Sequence, residues 1–132
     1  MRPDLVLDGR ALYDFGFALV GDQEEAEALA LQNTCVASAD HADNHGRLLC
    51  SLRRLWQQVS RTGSAEFRST RPQDDFLRIL TLEERAAVAG RFLLHLTLAD
   101  LSAVFDKSVT EEAKVLGSAV QRISELSKEK TQ

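Results

Sequence analysis

The sequence predicts an all-α protein built as two small helical subdomains joined by a linker. Apolar residues recur at spacings of three and four almost throughout, the period that gathers side chains onto one face of a helix. No run alternates apolar and polar positions with the β-branched residues that half-buried strands favour. Thr81 with Glu84, and Thr97 with Asp100, stand at the three-residue spacing that closes a helix start reciprocally.

Taken in order, Leu5, Leu12, Phe15, Ala18 and Leu19 share the face of a first helix that ends at Val20 and Gly21. Asp22, three residues before Glu25, opens a second helix through Ala26, Leu29, Asn33 and Val36. Its acidic start of Glu24, Glu25 and Glu27 suits the positive end of the helix dipole. Residues 38–46 are polar and aperiodic, a loop; a third helix over about 47–60 puts Leu48, Leu52, Leu55, Trp56 and Val59 on one broad face. Residues 61–75 contain only Ala65 and Phe67 as apolar side chains and read as a linker or exposed connection, which divides the chain into 1–60 and 76–132.

In the second half, the Thr81 helix turns Val88, Ala89, Phe92, Leu93 and Leu96 inward, with His95 near the same face as a core or hinge histidine. The Thr97 helix continues through Leu98, Leu101, Val104 and Phe105. A short turn follows in which Asp106 is suited to a left-handed backbone. Val109, Ala113, Leu116, Val120 and Ile123 then mark one face of a last helix that runs into a polar tail. Two helices joined by so short a turn fit a helix-turn-helix or an ordinary helical hairpin.

Charge narrows the function classes. The net charge is −4, and it lies in the first half: residues 1–60 carry five Lys/Arg against nine Asp/Glu, while 61–132 carry eleven of each. A whole-surface polyanion binder is excluded, and any nucleic-acid contact has to be local. No apolar run approaches a membrane span, no signal-peptide core opens the chain, and two cysteines fall far short of a disulfide framework. The expectation is a cytoplasmic protein with reduced thiols and no membrane partner. Without a phosphate loop, nucleophile elbow or paired carboxylates, neither an enzyme nor a small-molecule substrate or cofactor is expected.

One cluster stands out. Cys35, His41, His45 and Cys50 follow the pattern C-x5-H-x3-H-x4-C, the donor types of a tetrahedral zinc site. The spacing is not that of a zinc finger or ribbon, and the cysteines lie among apolar neighbours on helix segments. A polar solvated loop is therefore the reading adopted, with those four residues as the outside metal candidate.

Residues 12–29, LYDFGFALVGDQEEAEAL, resemble the opening of region 2 in extracytoplasmic-function sigma factors. Residues 80–123, LTLEERAAVAGRFLLHLTLADLSAVFDKSVTEEAKVLGSAVQRI, resemble region 4, the helix-turn-helix that reads the promoter −35 element. The order and the intervening linker match that family's layout. The departures are equally specific. Ala28, Ala30, Leu31 and Gln32 stand where polymerase-binding acidic residues are usual. The melting segment ASADHADNHG, residues 37–46, has no aromatic, and SVTEEAKVL, residues 108–116, carries Glu111 and Glu112 where cations are expected.

A sigma-like fold that keeps its apolar faces and loses its nucleic-acid surfaces resembles the amino-terminal domain of bacterial general stress response regulators, a decoy that sequesters an anti-sigma factor. ALVGDQEEAEAL and GRLLCSLRRLW, residues 18–29 and 46–56, are especially like that class. The resemblance implies an anti-sigma partner held by apolar side chains, here Leu12, Phe15, Leu48, Leu52, Trp56, Phe92 and Leu96. Trp56 and its leucines also suit the seam of the protein's own core. The alternative is an authentic sigma factor that binds core RNA polymerase and reads DNA through Thr110, Lys114 and Ser118. With Lys114 the one cation of the last helix before Arg122, DNA binding is expected to be weak or lost.

Overall fold

The computed structural model describes residues 3–34, 44–62 and 66–130, which are helices and their connections throughout. The helices are α1 (Pro3–Val20), α2 (Gln23–Asn33), α3 (Asn44–Thr62), a 3-10 turn at Pro72–Asp74 leading into α4 (Asp75–Arg78), α5 (Leu82–Val88), α6 (Leu98–Phe105) and α7 (Val109–Lys130). A π-helical turn, Ala89–Leu93, extends α5. The all-α reading holds. Among the described residues no helix is long and apolar enough to cross a membrane.

The expected starts and stops are made by the expected side chains. Asp22 accepts from the Glu25 N–H at 3.2 Å, and the Thr81–Glu84 and Thr97–Asp100 pairs are complete capping boxes. Asp106 takes the left-handed conformation at φ 56°, ψ 46° and ends α6. Helix α2 stops at Asn33, with Thr34 extended beyond it, and Val36 lies outside the described residues. Helix α3 starts at Asn44 and so takes in the last three residues of the expected loop.

The two halves of the chain share one hydrophobic cluster, from Leu12, Phe15 and Leu19 through Leu52 and Leu55 to Leu101, Val104 and Leu116. Helix α1 pairs with α2 and also packs on α5 and the π-helical turn; α3 packs on α6, and α7 lies against α5 and α6. Three rings mark the seam. Phe105 of α6 stacks on Phe15 of α1 at 6.2 Å between centroids and receives the edge of Trp56 of α3 at 5.1 Å.

The stretch expected as an exposed linker is fixed along α1 where it is described. Phe67 is buried and meets Phe17 edge-on at 6.4 Å, and the Arg68 N–H donates to the Val20 carbonyl at 2.9 Å. Arg68 pairs with Glu25 and Asp22. Buried Asp74 accepts from Ser69 Oγ at 2.6 Å and Arg71 Nε at 3.0 Å. Glu66, Arg68 and residues 70–73 are exposed, as the composition suggested, while Phe67, Ser69 and Asp74 are buried and tie the stretch to the end of α1. Gly21, at φ 69°, makes the approach possible: a Cβ there would lie 2.6 Å from the Ser69 nitrogen.

Arg85 closes the arrangement. Fully buried on α5, it donates from Nε to the Leu19 carbonyl at 3.1 Å and from Nη1 to the Leu80 carbonyl at 2.8 Å, with its guanidinium 5.5 Å from the Phe67 ring centre. Desolvation holds its pKa below the ordinary arginine value. These charge-assisted bonds and a buried stem make Arg85→Ala an expected loss of about 3 kcal/mol or more. Urea denaturation followed by circular dichroism measures this, and Arg85→Lys, which lacks the planar fork, should recover less than half of the loss.

Candidate partner-binding surface

Helix α7 has its buried face rotated from the one expected. Leu116 and Ala119 are buried and Val115, Ile123 and Leu126 partly so, whereas Val109, Ala113 and Val120 are exposed. With this rotation Glu112 points inward in place of Ala113. It is 2% exposed, beside Trp56, Phe105, Lys107 and Val115, and its Oε2 has no hydrogen-bond partner among the described residues. Burial raises its pKa above the ordinary glutamate value of 4.5, Glu83 and Glu111 add to the rise, and Lys107 opposes it.

Thr110, Lys114 and Ser118 all lie on the exposed side of α7. Ser118 is engaged: its Oγ–H donates to Glu84 Oε2 at 2.8 Å, and Arg122 Nε lies 3.2 Å from the same oxygen. Burial would raise the Glu84 pKa. The bonds from the Thr81 backbone, Ser118 and the Thr81 side chain, with Arg122 nearby, together hold it below the ordinary value. The expected base-reading face is thus one cation, Lys114, beside an exposed Glu111, with its serine tied to α5.

The seven expected partner-binding residues divide by burial. Leu12, Phe15, Leu52 and Leu96 are core residues, and Leu48 and Trp56 are partly buried against the same core. Phe92 is 53% exposed, and Leu93, expected inward with it, is exposed as well. The π-helical turn accounts for both. The Leu94 N–H reaches back five residues to the Ala89 carbonyl at 3.1 Å, and this wider turn swings Phe92 and Leu93 out of the apolar face. Gly90 stays inside, where a Cβ would lie 2.5 Å from Leu101 Cδ2. His95 follows, exposed and left-handed at φ 59°, a turn residue and not a core one.

Leu93 borders a groove of about 340 Å³ with Tyr13, Phe17, Phe76 and Leu77, edged by Arg71 and Asp74. The Arg71 guanidinium lies 5.3 Å from the Phe17 ring centre. The pairing of Tyr13 with Phe17 is a helical i, i+4 signal, and their rings stack at 6.3 Å. It marks a second apolar face of α1, overlooked beside the stronger Leu12, Phe15 and Leu19 face. Leu31 of α2, 82% exposed, is a further apolar side chain at the surface.

Of the metal candidates, Cys35 and His41 lie outside the described residues. His45 is bonded through Nε2 to Asp100 Oδ1 at 3.0 Å, linking α3 to α6, and Cys50 is a partly buried residue of α3. Burial alone would raise the Asp100 pKa, but the bonds from His45 and Thr97 outweigh it and hold it low.

The buried Glu112 carboxylate, whose Oε2 has no hydrogen-bond partner among the described residues, gives a pH-dependent expectation. With a folded pKa above the unfolded value, the wild type is free of the penalty below about 4.5 and loses stability as pH rises from there through the raised value. Glu112→Leu should therefore be more stable than wild type by about 1–2 kcal/mol at neutral pH. Paired urea titrations at neutral and acidic pH measure the difference, which should shrink on acidification.

No family model, curated protein or solved structure matches this chain.

Proposed function

We propose that this chain is a sigma-factor-like regulatory protein that acts in transcriptional stress control by binding an anti-sigma factor, as a decoy for it. The observation that carries the reading is the state of α7, the helix that would read promoter DNA in the sigma resemblance. Glu112 is turned into the core, Ser118 is held by Glu84, and Glu111 shares the outer face with Lys114. Such a face attracts polyphosphate poorly, because affinity for duplex DNA comes largely from cations that displace its counterions.

A protein partner fits what the surface offers. Phe92 and Leu93 stand exposed on a π-helical turn beside an aromatic-lined groove, and large apolar and aromatic side chains are the usual anchors of protein interfaces. Leu12, Phe15, Leu52 and Leu96 serve the decoy by shaping the sigma-like core, and Phe92 is the residue of that set placed for direct contact.

Titration of the purified chain with the anti-sigma factor of its native host, followed by calorimetry, should give a stable complex. Run-off transcription with core polymerase and a −35 promoter duplex should give little or no product. Phe92→Ala should weaken the complex about tenfold or more while changing folding stability by less than about 1 kcal/mol, because its side chain is half exposed. Failure to form any complex, or transcription at sigma-factor levels, overturns the decoy reading.

A further inference from the structure

We infer that α3 carries a docking surface for an acidic segment of the protein partner, centred on Arg53, Arg54 and Arg61. This rests on the reading that a protein takes the place of DNA, and it names the chemistry of that protein. Helix α3, Asn44–Thr62, contains four arginines and neither Asp nor Glu, in a chain whose net charge is −4. Arg47 is buried; Arg53, Arg54 and Arg61 are exposed. Among the described residues neither Arg53 nor Arg61 forms an ion pair, although acidic residues outnumber basic ones in the chain as a whole.

Arg54 and Arg61 border a built concavity, and Arg53 stands exposed one helical turn before its Gln57. A cleft of about 390 Å³ lies between the ends of α2 and α3, lined by Asn33, Arg54, Gln57, Gln58 and Arg61. Its amides are fixed by one another. Asn33 Nδ2 donates to the Leu29 carbonyl at 2.8 Å and to Gln58 Oε1 at 3.0 Å, and Gln58 Nε2 donates to Gln32 Oε1 at 2.8 Å. A peptide would meet a polar wall already ordered, which lowers the cost of binding. Arg53 and Arg61 are eight residues apart, about 12 Å along the helix. That spacing suits carboxylates about two turns apart on a helical segment, and each guanidinium can take a carboxylate through two donors.

Charge complementarity selects an acidic peptide over nucleic acid. A polyanion longer than the patch would gain these arginines but also meet the field of a net negative protein. Among the described residues the cleft holds no aromatic ring on which a base could stack; Trp56 of the same helix has its ring against Phe105. A short acidic segment needs only the local field, which acts within a Debye length of about 8 Å in physiological salt.

The test uses the full chain and a fluorescein-labelled amphipathic peptide of glutamate and leucine, read by fluorescence anisotropy. A lysine/leucine peptide and single-stranded and duplex DNA oligonucleotides are run in parallel. The acidic peptide should bind, weaken as salt rises, and lose about tenfold or more in affinity with Arg53→Glu/Arg61→Glu. The lysine peptide should not bind, and both oligonucleotides should bind more weakly than the acidic peptide. Both side chains are exposed, so the variant's melting curve should match wild type; if it does not, Arg53→Gln/Arg61→Gln gives the same readout without charge reversal.

Absence of acidic-peptide binding, an affinity unchanged by the arginine variants, or tighter binding of either oligonucleotide overturns the assignment. The two proposals fail separately. An anti-sigma complex indifferent to the arginine variants removes only the α3 surface, whereas acidic-peptide binding without any anti-sigma complex removes the decoy reading.

Discussion

The carboxyl end of α1 is the constraint on which the rest of the molecule depends. A helix leaves its last carbonyls without intrahelical donors, and this helix ends on the buried residues Leu19 and Val20. Three donors answer. The Gly21 N–H takes the Phe17 carbonyl at 2.8 Å, the Arg68 N–H takes that of Val20, and Arg85 Nε takes that of Leu19. Two of those donors lie more than forty residues downstream. The first half therefore cannot complete its own helix end, and the second half is held wherever that end is. Arg85 is suited to the position because a cation at a helix carboxyl terminus meets the negative end of the dipole.

How much of this was legible in the sequence follows from range. Asp22, Thr81, Thr97 and Asp106 act within three or four residues of themselves, so their chemistry shows directly in the chain. Arg85 carries no such sign. Within its own helix it is one more arginine, and only the fold reveals that a carbonyl sixty-six residues back requires it. Phe67 was likewise hidden among polar neighbours, because a lone aromatic in a Ser/Thr/Arg stretch has no periodicity to mark its burial.

The candidate surface was legible to a lesser degree, since each surprise there is a change of register. The π-helical turn adds one residue to the cycle and carries Phe92 and Leu93 from the inner to the outer face, while Glu112 takes an inner position that hydropathy assigned to Ala113. Sequence patterns assume an unbroken period of 3.6 residues and apolar residues inside. Where a chain gives up the period or buries a carboxylate, it departs from the locally cheapest solution, and such departures concentrate at sites shaped by something other than stability. In this chain both fall in the second half, residues 76–132.

The three rings at the seam lead further. Trp56 is the sole tryptophan, and its indole lies against Phe105 of α6 with the buried Glu112 carboxyl beside it. Indole emission is set by the charges and water around the ring, and here both change together whenever α6 withdraws from α3. The molecule thus contains its own gauge of how closely its halves are joined, one that needs no label and that separates a ligand gripping the outside from one that works its way between the helices.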